Sequence, residues 1–110
     1  MDANFVKEIT VQDLKRMRDN AEDFQLIDVR EPDEYAFCNL GGELIPLGEI
    51  SGAANKVAEG KPVIVQCRSG MRSAKAIMAL QEQHGFDNLY NLKGGILAWA
   101  SEIDPSVPKY

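Results

Sequence analysis

The amino-acid sequence predicts an α/β fold with a mainly parallel central sheet of about five strands and helices on both faces. Short apolar, β-branched segments alternate along the chain with segments of helical periodicity, and this alternation is typical of parallel strands joined by helical connections. The chain has 110 residues, of which 45% are hydrophobic, so it can close one core and form one domain. We expect this domain to cover residues 1–103. Residues 104–110 should form an extended surface tail, because two prolines interrupt regular structure there.

The charge and the cysteine content argue against several classes of protein. Lys and Arg number 12 against 17 Asp and Glu, which gives a net charge of −5 and disfavours nucleic acid or an anionic membrane as a partner. No segment approaches the ~18 apolar residues of a spanning helix, and the N-terminus has no basic region followed by an apolar one. Two cysteines and one histidine are too few for a disulfide scaffold or a metal site. We therefore expect a cytoplasmic protein with reduced thiols and no metal.

The first half of the chain contains three expected strands and two expected helices. Thr10 and Asp13 have the spacing of a capping box at the start of a helix. Pro32 ends the strand before it and suits the first turn of a helix. The expected elements are a strand at 7–9, a helix at 11–18, a central strand at 24–29, a short helix from 32 to about 37 and a short strand at 44–45.

The second half of the chain alternates in the same way. Gly48 and Gly52 weaken the helix that residues 47–58 suggest. A segment without a helix breaker begins at about Met71, and Gly85 suits the cap at its end. The expected elements are that helix at 47–58, a strand at 62–67, a helix at 71–84 with Ala74, Ile77 and Leu80 facing inward, a strand at 88–92, and a last helix that contains Ile96, Leu97 and Trp99.

Cys67 lies where a buried strand passes through a tight loop into a helix. A thiol at the carboxyl end of a strand faces the backbone N–H groups of the loop and the positive end of the following helix. Helix N-termini and nearby arginines can lower a cysteine pKa from about 8.5 to about 3.5–7.5, and Arg68 and Arg72 follow within five residues. We therefore interpret Cys67 as a candidate nucleophile. The alternative is an apolar core cysteine, but two arginines suit the binding of an anion better than the end of a buried strand.

Two further pairs of residues are expected near this loop. Asp28 and Arg30 project to the same side of their strand, because strand side chains alternate with a period of two. They form either a surface ion pair of little energetic weight or a support for the loop from a neighbouring strand end. Gly94 and Gly95 allow the backbone to approach closely, so we expect their turn to lie beside the Cys67 loop.

Three ordered motifs resemble the signatures of a single rhodanese domain. They are Leu-Ile-Asp-Val-Arg-Glu-Pro-Asp-Glu-Tyr at 26–35, Val-Gln-Cys-Arg-Ser-Gly-Met-Arg-Ser at 65–73, and Asn-Leu-Lys-Gly-Gly-Ile-Leu-Ala-Trp at 91–99. The segments 38–48 and 103–110 are in turn similar to the rhodanese domain at the C-terminus of adenylyltransferases that charge small sulfur-carrier proteins for molybdopterin or thiamin synthesis. Cys38 and Asn39 stand where the commonest rhodanese pattern has Gly-His.

The resemblance implies a sulfurtransferase in which Cys67 accepts a sulfane sulfur as a persulfide, from thiosulfate or a persulfide donor, and passes it to a thiophilic acceptor. Backbone donors around the persulfide would each contribute about 1.5–3 kcal/mol, so no metal or organic cofactor is needed. The implied partners are a small anionic sulfur donor and a small sulfur-carrier protein or cysteine desulfurase. The implied site residues are Cys67 as the nucleophile, Arg68, Ser69, Gly70, Met71, Arg72 and Ser73 in the loop around the sulfur and its donor, and Asp28, Arg30, Gly94 and Gly95 as supports of the loop.

Two other functions remain open from the sequence. Related folds host phosphatases and arsenate reductases with a Cys-x5-Arg loop, but Arg72 follows Cys67 with a spacing of Cys-x4-Arg, which makes a tighter loop, sized for a sulfur atom. The second alternative is a non-enzymatic binding module in which the cysteine is present but has no catalytic role. His84 is excluded as a general base, because it lies about 20 Å along its helix from the loop. Cys38 is interpreted as a small structural residue, with the role of a resolving thiol as the alternative.

Overall fold

The computed structural model describes residues 5–110. Residues 1–4, which belong to the expected domain, lie outside the described residues. The expectation that the N-terminus carries no leader falls mostly on these residues. Five strands form one sheet in the order β1-β5-β4-β2-β3, and every strand pair is parallel. The predicted parallel sheet of about five strands is therefore confirmed. The strands are β1 (Lys7–Ile9), β2 (Gln25–Asp28), β3 (Glu43–Leu44), β4 (Val63–Gln66) and β5 (Leu89–Leu92).

Helices cover both faces of the sheet, as the sequence predicts. On one face α3 packs with a 3-10 segment, and on the other face α1 packs with α4. β4 is the middle strand and all four of its residues are buried, which explains its uninterrupted apolar sequence. Val63 and Val65 face the core under α3, and Ile64 faces the core under α1 and α4. The helices are α1 (Val11–Asp19), α2 (Pro32–Phe37), α3 (Met71–His84) and α4 (Gly95–Glu102), and the 3-10 segment is Leu47–Lys56.

Local sequence explains where these helices begin and end. Thr10 and Asp13 form the expected capping box at the start of α1. Pro32 occupies the first turn of α2. Gly85 ends α3 with a φ of 71°, a left-handed conformation that favours glycine. No helix within residues 5–110 combines the length and the apolar character needed to cross a membrane.

Three details of the fold differ from the sequence prediction. Residues 47–56 form a 3-10 segment with a kink at Ala53 instead of a regular helix, in agreement with the low helix propensity of glycine in this segment. Ile77 and Leu80 of α3 are buried as expected, but Ala74 is only half-buried. The buried residues of this helix are Ser73, Ala76, Ile77 and Leu80. Ser73 is fully buried, and its side chain faces Cys67.

The C-terminal segment is the third difference. It contains no helix or strand, as predicted, but Asp104 starts a turn in which its backbone oxygen accepts the N–H of Val107 at 3.1 Å. Val107 and Tyr110 then pack against the core under α1 and α4. Residues 104–110 therefore contact the domain, and the division of the chain into a domain at 1–103 and a tail at 104–110 stays a prediction.

Candidate functional site: a cysteine loop between β4 and α3

The carboxyl ends of β2, β4 and β5 lie side by side, and the candidate residues follow these ends. Asp28 ends β2 and is in register with Gln66, the residue before Cys67. Val65 of β4 is in register with Asn91, so the turn that contains Gly94 leaves β5 at the same edge of the sheet. A parallel sheet thus brings three distant segments of the chain together at the site where ligands bind in α/β folds.

The loop after Cys67 directs polar hydrogens at the sulfur. The backbone N–H of Gly70 donates to Sγ at 3.0 Å, and the Ser73 hydroxyl oxygen lies 3.4 Å from Sγ. Gly70 has a φ of 108°, a conformation that glycine adopts without strain, and it directly precedes the first turn of α3. The loop therefore surrounds the sulfur with backbone donors at the positive end of a helix.

Cys67 is only 1% exposed. Burial alone would agree with the alternative interpretation, in which Cys67 is an apolar core residue. Burial raises the pKa of the Cys67 thiol. The Ser73 hydroxyl lowers this pKa, and so do the backbone N–H groups of Ser73, Gly70 and Ser69, with the result that it lies below the ordinary value. The polar surroundings outweigh the burial, which favours a reactive thiolate over an inert core thiol.

Asn91 fixes two members of this loop. Its side-chain nitrogen donates to the backbone oxygen of Gly70 at 3.0 Å, and its side-chain oxygen lies 2.5 Å from the Ser73 hydroxyl. Because a hydroxyl carries one hydrogen, Ser73 donates either to Asn91 or to Cys67 at one time. Asn91 therefore holds the Ser73 hydroxyl beside the sulfur, ready to donate to the anion when it forms.

The pH dependence of Cys67 alkylation tests this arrangement. In a Cys38→Ser background, the rate with iodoacetamide should follow the thiolate and should fall only below a midpoint that is lower than the pKa of about 8.5 of a free cysteine. Ser73→Ala removes the hydrogen bond that lowers the pKa most, so the midpoint should move to higher pH. A midpoint above that of free cysteine, or one that Ser73→Ala leaves in place, would contradict the assignment.

The paired-glycine turn lies directly against the loop, as the sequence predicts. The N–H of Ile96 donates to the backbone oxygen of Cys67 at 3.0 Å, and the N–H of Leu97 donates to the backbone oxygen of Arg68 at 3.1 Å. A Cβ on Gly95 would lie only 2.4 Å from that oxygen of Cys67. Close approach of two backbones therefore requires glycine here, and the first turn of α4 fixes the start of the cysteine loop.

Arg72 lies against a carboxylate and not in open solvent. Its two terminal nitrogens donate to the two carboxylate oxygens of Glu34 at 2.7 and 2.9 Å. This contact lowers the pKa of Glu34 from 4.5 to about 2. Any stability that the pair contributes is therefore complete above the ordinary pKa and is lost as pH falls through about 2. Arg72 thus joins the loop to α2, and Glu34 balances its charge. The sequence predicts that Arg72 binds the anionic donor and does not predict this partner.

Arg68 is exposed but also has an internal partner. Its Nε donates to the backbone oxygen of Tyr110 at 2.6 Å, and its Nη2 donates to the same oxygen. The guanidinium lies over the Tyr110 ring, 5.1 Å from the centroid. Of the remaining loop residues, Ser69 and Met71 are exposed, and Met71 presents 71% of its surface to solvent. Arg68 therefore differs from Arg72 in its partner, which is residue 110 and not the Glu34 side chain.

Asp28 and Arg30 form a buried ion pair, so the surface pair considered from the sequence is wrong. Both residues are fully buried, and Arg30 Nη2 donates to the Asp28 carboxylate at 2.7 Å. Burial lowers the pKa of Arg30, but Asp28 and Tyr110 raise it by more, so Arg30 stays charged. Its other bonds go to the backbone oxygens of Cys38 and Glu34 and to the hydroxyl of Tyr110. The pair thus supports α2 and residue 110, and reaches the cysteine loop only through them.

His84 and Cys38 are the two remaining candidates, and only His84 can be excluded from the site by its position. His84 is the last residue of α3 and is exposed, with its ring nitrogen 3.2 Å from the backbone oxygen of Ser51. It is therefore no base for Cys67. Cys38 is half-buried, and its sulfur lies 3.7 Å from the backbone oxygen of Pro108. A structural role for Cys38 stays a prediction.

The comparisons with known proteins agree with this geometry. The sequence model of the Rhodanese-like domain family matches residues 10–102. A sulfurtransferase of Allochromatium vinosum is 35% identical over 103 residues, which cover 93% of this chain and 95% of that protein. The adenylyltransferase and sulfurtransferase MOCS3-2 of Zea mays is 30% identical over 110 residues, which cover 93% of this chain and 23% of that protein. The crystal structure of a rhodanese-like domain protein from Staphylococcus aureus has a TM-score of 0.78 at 30% identity, over 96% of this chain and 99% of that one.

Fold and site together define a parallel α/β domain with a cysteine held by backbone donors between its middle strand and a helix. The chain belongs to the rhodanese family. This confirms the resemblance seen in its three motifs, including the similarity to adenylyltransferases with a sulfurtransferase domain. Several curated relatives are longer proteins, and the chain spans between 23% and 63% of their length.

Proposed function

We propose that the protein is a sulfurtransferase that carries sulfane sulfur as a persulfide on Cys67. The observation that supports this most is the set of donors around Sγ, with the Gly70 N–H at 3.0 Å and further contributions from Ser69 and Ser73. Hydrogen bonds to a charged group contribute about 1.5–3 kcal/mol each. Such a loop can stabilise the thiolate before transfer and an anionic persulfide after it.

The proposed reaction has two balanced halves. The Cys67 thiolate attacks the outer sulfur of thiosulfate, a new S–S bond forms at Sγ, the S–S bond of thiosulfate breaks, and sulfite leaves with the electron pair. An acceptor thiolate or cyanide then attacks the terminal sulfur, the Sγ–S bond breaks, and Cys67 returns as a thiolate. Neither half needs an external oxidant or reductant. Two transfers through one thiol predict ping-pong kinetics.

The phosphatase alternative is less well supported. A phosphatase needs the loop arginine for the transferred phosphate, and Arg72 instead holds both oxygens of Glu34. The loop is also one residue shorter than Cys-x5-Arg. These two features support a loop for a sulfur atom and not for a tetrahedral phosphate.

The proposed substrate is a small anionic sulfur donor, and the exposed Arg68 of the loop is the proposed contact for its charge. A small sulfur-carrier protein or a cysteine desulfurase is the proposed protein partner. This part rests on analogy with relatives that carry the names adenylyltransferase and sulfurtransferase. A cytoplasmic location stays a prediction from the composition.

Mass spectrometry after thiosulfate treatment tests the proposal. We expect an increase of about 32 Da, the mass of one sulfur atom, on the peptide that contains Cys67, and we expect cyanide to remove it. Cys38→Ser is the matched control and should carry the same adduct, because the other thiol has no place in the proposed transfer.

Two results would count against this function. The first is the absence of the adduct from a protein whose Cys67 iodoacetamide does label, which would favour a non-enzymatic binding module. The second is hydrolysis of an aryl phosphate at a rate that Cys67→Ser abolishes, which would favour the phosphatase.

A further inference from the structure

Asn91 is a buried polar side chain of β5, and both of its polar atoms contact the cysteine loop or the helix that follows it. It lies in register with Val65 of β4 and is only 3% exposed. Its nitrogen donates to the backbone oxygen of Gly70 at 3.0 Å, and its oxygen lies 2.5 Å from the Ser73 hydroxyl. Because the side chain is buried, water has little access to either contact.

The partners of Asn91 determine which way its amide points. A backbone oxygen can only accept a hydrogen bond, so the side-chain nitrogen must face Gly70. The side-chain oxygen then faces Ser73, and this contact requires the hydrogen of the Ser73 hydroxyl. Among residues 5–110, no other group donates to this oxygen. Asn91 therefore binds Ser73 as an acceptor only.

Cys67 needs the same hydrogen when it is a thiolate. The Ser73 hydroxyl oxygen lies 3.4 Å from Sγ. In the neutral thiol, the S–H can donate to the Ser73 oxygen while the Ser73 hydrogen stays on Asn91. In the thiolate, the hydroxyl must turn to Sγ, and the Asn91 oxygen is left without a donor. A charged acceptor binds a hydrogen more strongly than a neutral one, so the hydrogen follows the charge on Sγ.

We propose that Asn91 is a positioning residue that competes with the Cys67 sulfur for the single hydrogen of Ser73 and gives it up only to the thiolate. When a second sulfur is bonded to Sγ, the negative charge lies on the outer sulfur, and the Ser73 hydrogen returns to Asn91. The competition therefore disfavours the empty thiolate relative to both the neutral thiol and the loaded persulfide. Only the part that concerns the persulfide rests on the proposed function.

The charged groups around the loop keep the same state while Cys67 titrates. Glu34 raises the pKa of Arg72, and the Cys67 sulfur adds to this effect. The pKa of Glu34 itself is about 2, far below the range of the measurement. Arg68 keeps its charge as any arginine does, Asp28 at the end of β2 is held in a buried ion pair, and the first turn of α4 has no acidic residue. A midpoint of alkylation therefore reports the cysteine.

A double-mutant cycle on the pH midpoint of Cys67 alkylation tests the competition without sulfur transfer. In a Cys38→Ser background, the midpoint with iodoacetamide is measured with and without Asn91→Leu, once with Ser73 present and once with Ser73→Ala. Asn91→Leu also removes the bond to Gly70, but this loss occurs in both backgrounds and cancels in the difference. The cycle therefore isolates the contact between Asn91 and Ser73.

We expect Asn91→Leu to place the midpoint lower by about 0.5–1 pH unit with Ser73 present, relative to its effect in the Ser73→Ala background, because the hydrogen is then free for the thiolate. Equal effects in the two backgrounds would show that the two residues are not coupled. A higher midpoint with Ser73 present would show that Asn91 helps the hydroxyl donate to the sulfur and does not compete with it. Either result would overturn the inference.

Asn88 supplies the matched control. It lies directly before β5, at the end of the strand away from the loop, and its side-chain nitrogen donates to the backbone oxygens of Ala58 and Lys61 at 2.9 and 2.8 Å. Asn88→Leu also removes an asparagine amide from its bonds, but we expect its effect on the midpoint to be the same within about 0.2 pH unit with Ser73 or with Ser73→Ala. A dependence on Ser73 as large as that of Asn91→Leu would count against the inference.

The NMR signals of the Asn91 side-chain amide keep the inference testable if Asn91→Leu does not fold. We expect these signals to titrate with the midpoint of Cys67, because the amide oxygen loses its hydrogen bond as the thiolate forms. Ser73→Ala removes the hydrogen for which the two groups compete, so the change should become much smaller in that variant. Signals that do not titrate, or a titration that Ser73→Ala leaves unchanged in size, would overturn the inference.

The equilibrium between loaded and empty protein gives the second measurement. In a mixture of thiosulfate and sulfite at a pH above the midpoint, mass spectrometry gives the ratio of persulfide to free thiol on Cys67. In the same cycle, Asn91→Leu should lower this ratio about three- to tenfold more with Ser73 present than with Ser73→Ala, because the same hydrogen bond favours the persulfide over the thiolate.

The two measurements separate this inference from the proposed function. If wild-type protein forms no persulfide but the alkylation midpoints depend on Ser73 as expected, the competition stands and the proposed function fails. If persulfide forms and the alkylation midpoints show no such dependence, the competition fails alone. If only the ratio of persulfide to free thiol shows no dependence on Ser73, the return of the hydrogen to Asn91 in the persulfide is wrong.

Discussion

Cys67→Ser is expected to reduce sulfur transfer from thiosulfate to cyanide by at least about 10³-fold. A serine oxygen cannot carry the transferred sulfur as a persulfide, and the hydrogen bonds that lower the pKa of the thiol in this loop cannot make an alkoxide at neutral pH. The initial rate of thiocyanate formation measures the effect.

The substitution should leave the fold intact. A serine hydroxyl is close to the thiol in size, and the Gly70 N–H that donates to Sγ at 3.0 Å can also donate to a hydroxyl oxygen. We therefore expect Tm within about 4 °C of the wild-type value, a difference of less than about 1 kcal/mol. Cys38→Ser is the control, and we expect it to keep the full rate of sulfur transfer. If Cys67→Ser keeps more than a small fraction of the rate, or if Cys38→Ser loses it, the assignment of the nucleophile is wrong.

Local patterns in the sequence were sufficient to locate the cysteine loop. The apolar run before Cys67, the glycine at position 70 and the unbroken helical segment after it lie within a few residues of one another. Each of these signals acts through the backbone of its own segment, and the strand, the tight loop and the helix all form as expected. The paired glycines at 94 and 95 were found for the same reason, since close backbone approach has a local signature.

The partners of the loop residues could not be found in that way. Glu34 binds a residue 38 positions away, Asn91 binds residues 18 and 21 positions away, and Tyr110 binds Arg68 across 42 positions. Which of these meet depends on the strand order, and a pattern of alternating strands and helices does not specify this order. If the order β5-β4-β2 were known, Asn91 of β5 and Glu34 in the first turn of α2 would be candidate partners of the loop residues.

Arg30 and Tyr110 show a second limit of sequence analysis. The sequence allows a surface contact between Arg30 and Asp28, because charged residues are usually exposed. It is buried because residue 110 and the segment around Cys38 cover it. The two prolines near the C-terminus correctly indicate that no helix or strand forms there, but they carry no signal that the segment packs against the site.

Gly95→Ala is expected to lower the free energy of unfolding by about 2–4 kcal/mol and to reduce persulfide formation on Cys67. The φ of Gly95 is 59°, where an L side chain costs about 1–2 kcal/mol. Its Cβ would also lie 2.4 Å from the backbone oxygen of Cys67 and 2.5 Å from that of Arg68. These oxygens accept the first N–H groups of α4, so relief of the clash must move the loop away from that helix.

Urea unfolding and the yield of the Cys67 adduct measure the two consequences separately. Gly48→Ala is the matched control, because a Cβ there would meet no atom within 4 Å and its φ is not positive. We expect its stability to stay equal or rise by about 0.4–1 kcal/mol. If both variants lose stability and adduct to the same extent, the close approach at Gly95 has no special role. If Gly95→Ala is unstable but its folded fraction forms the adduct at the wild-type rate, the contact supports the fold and does not set the geometry around the sulfur.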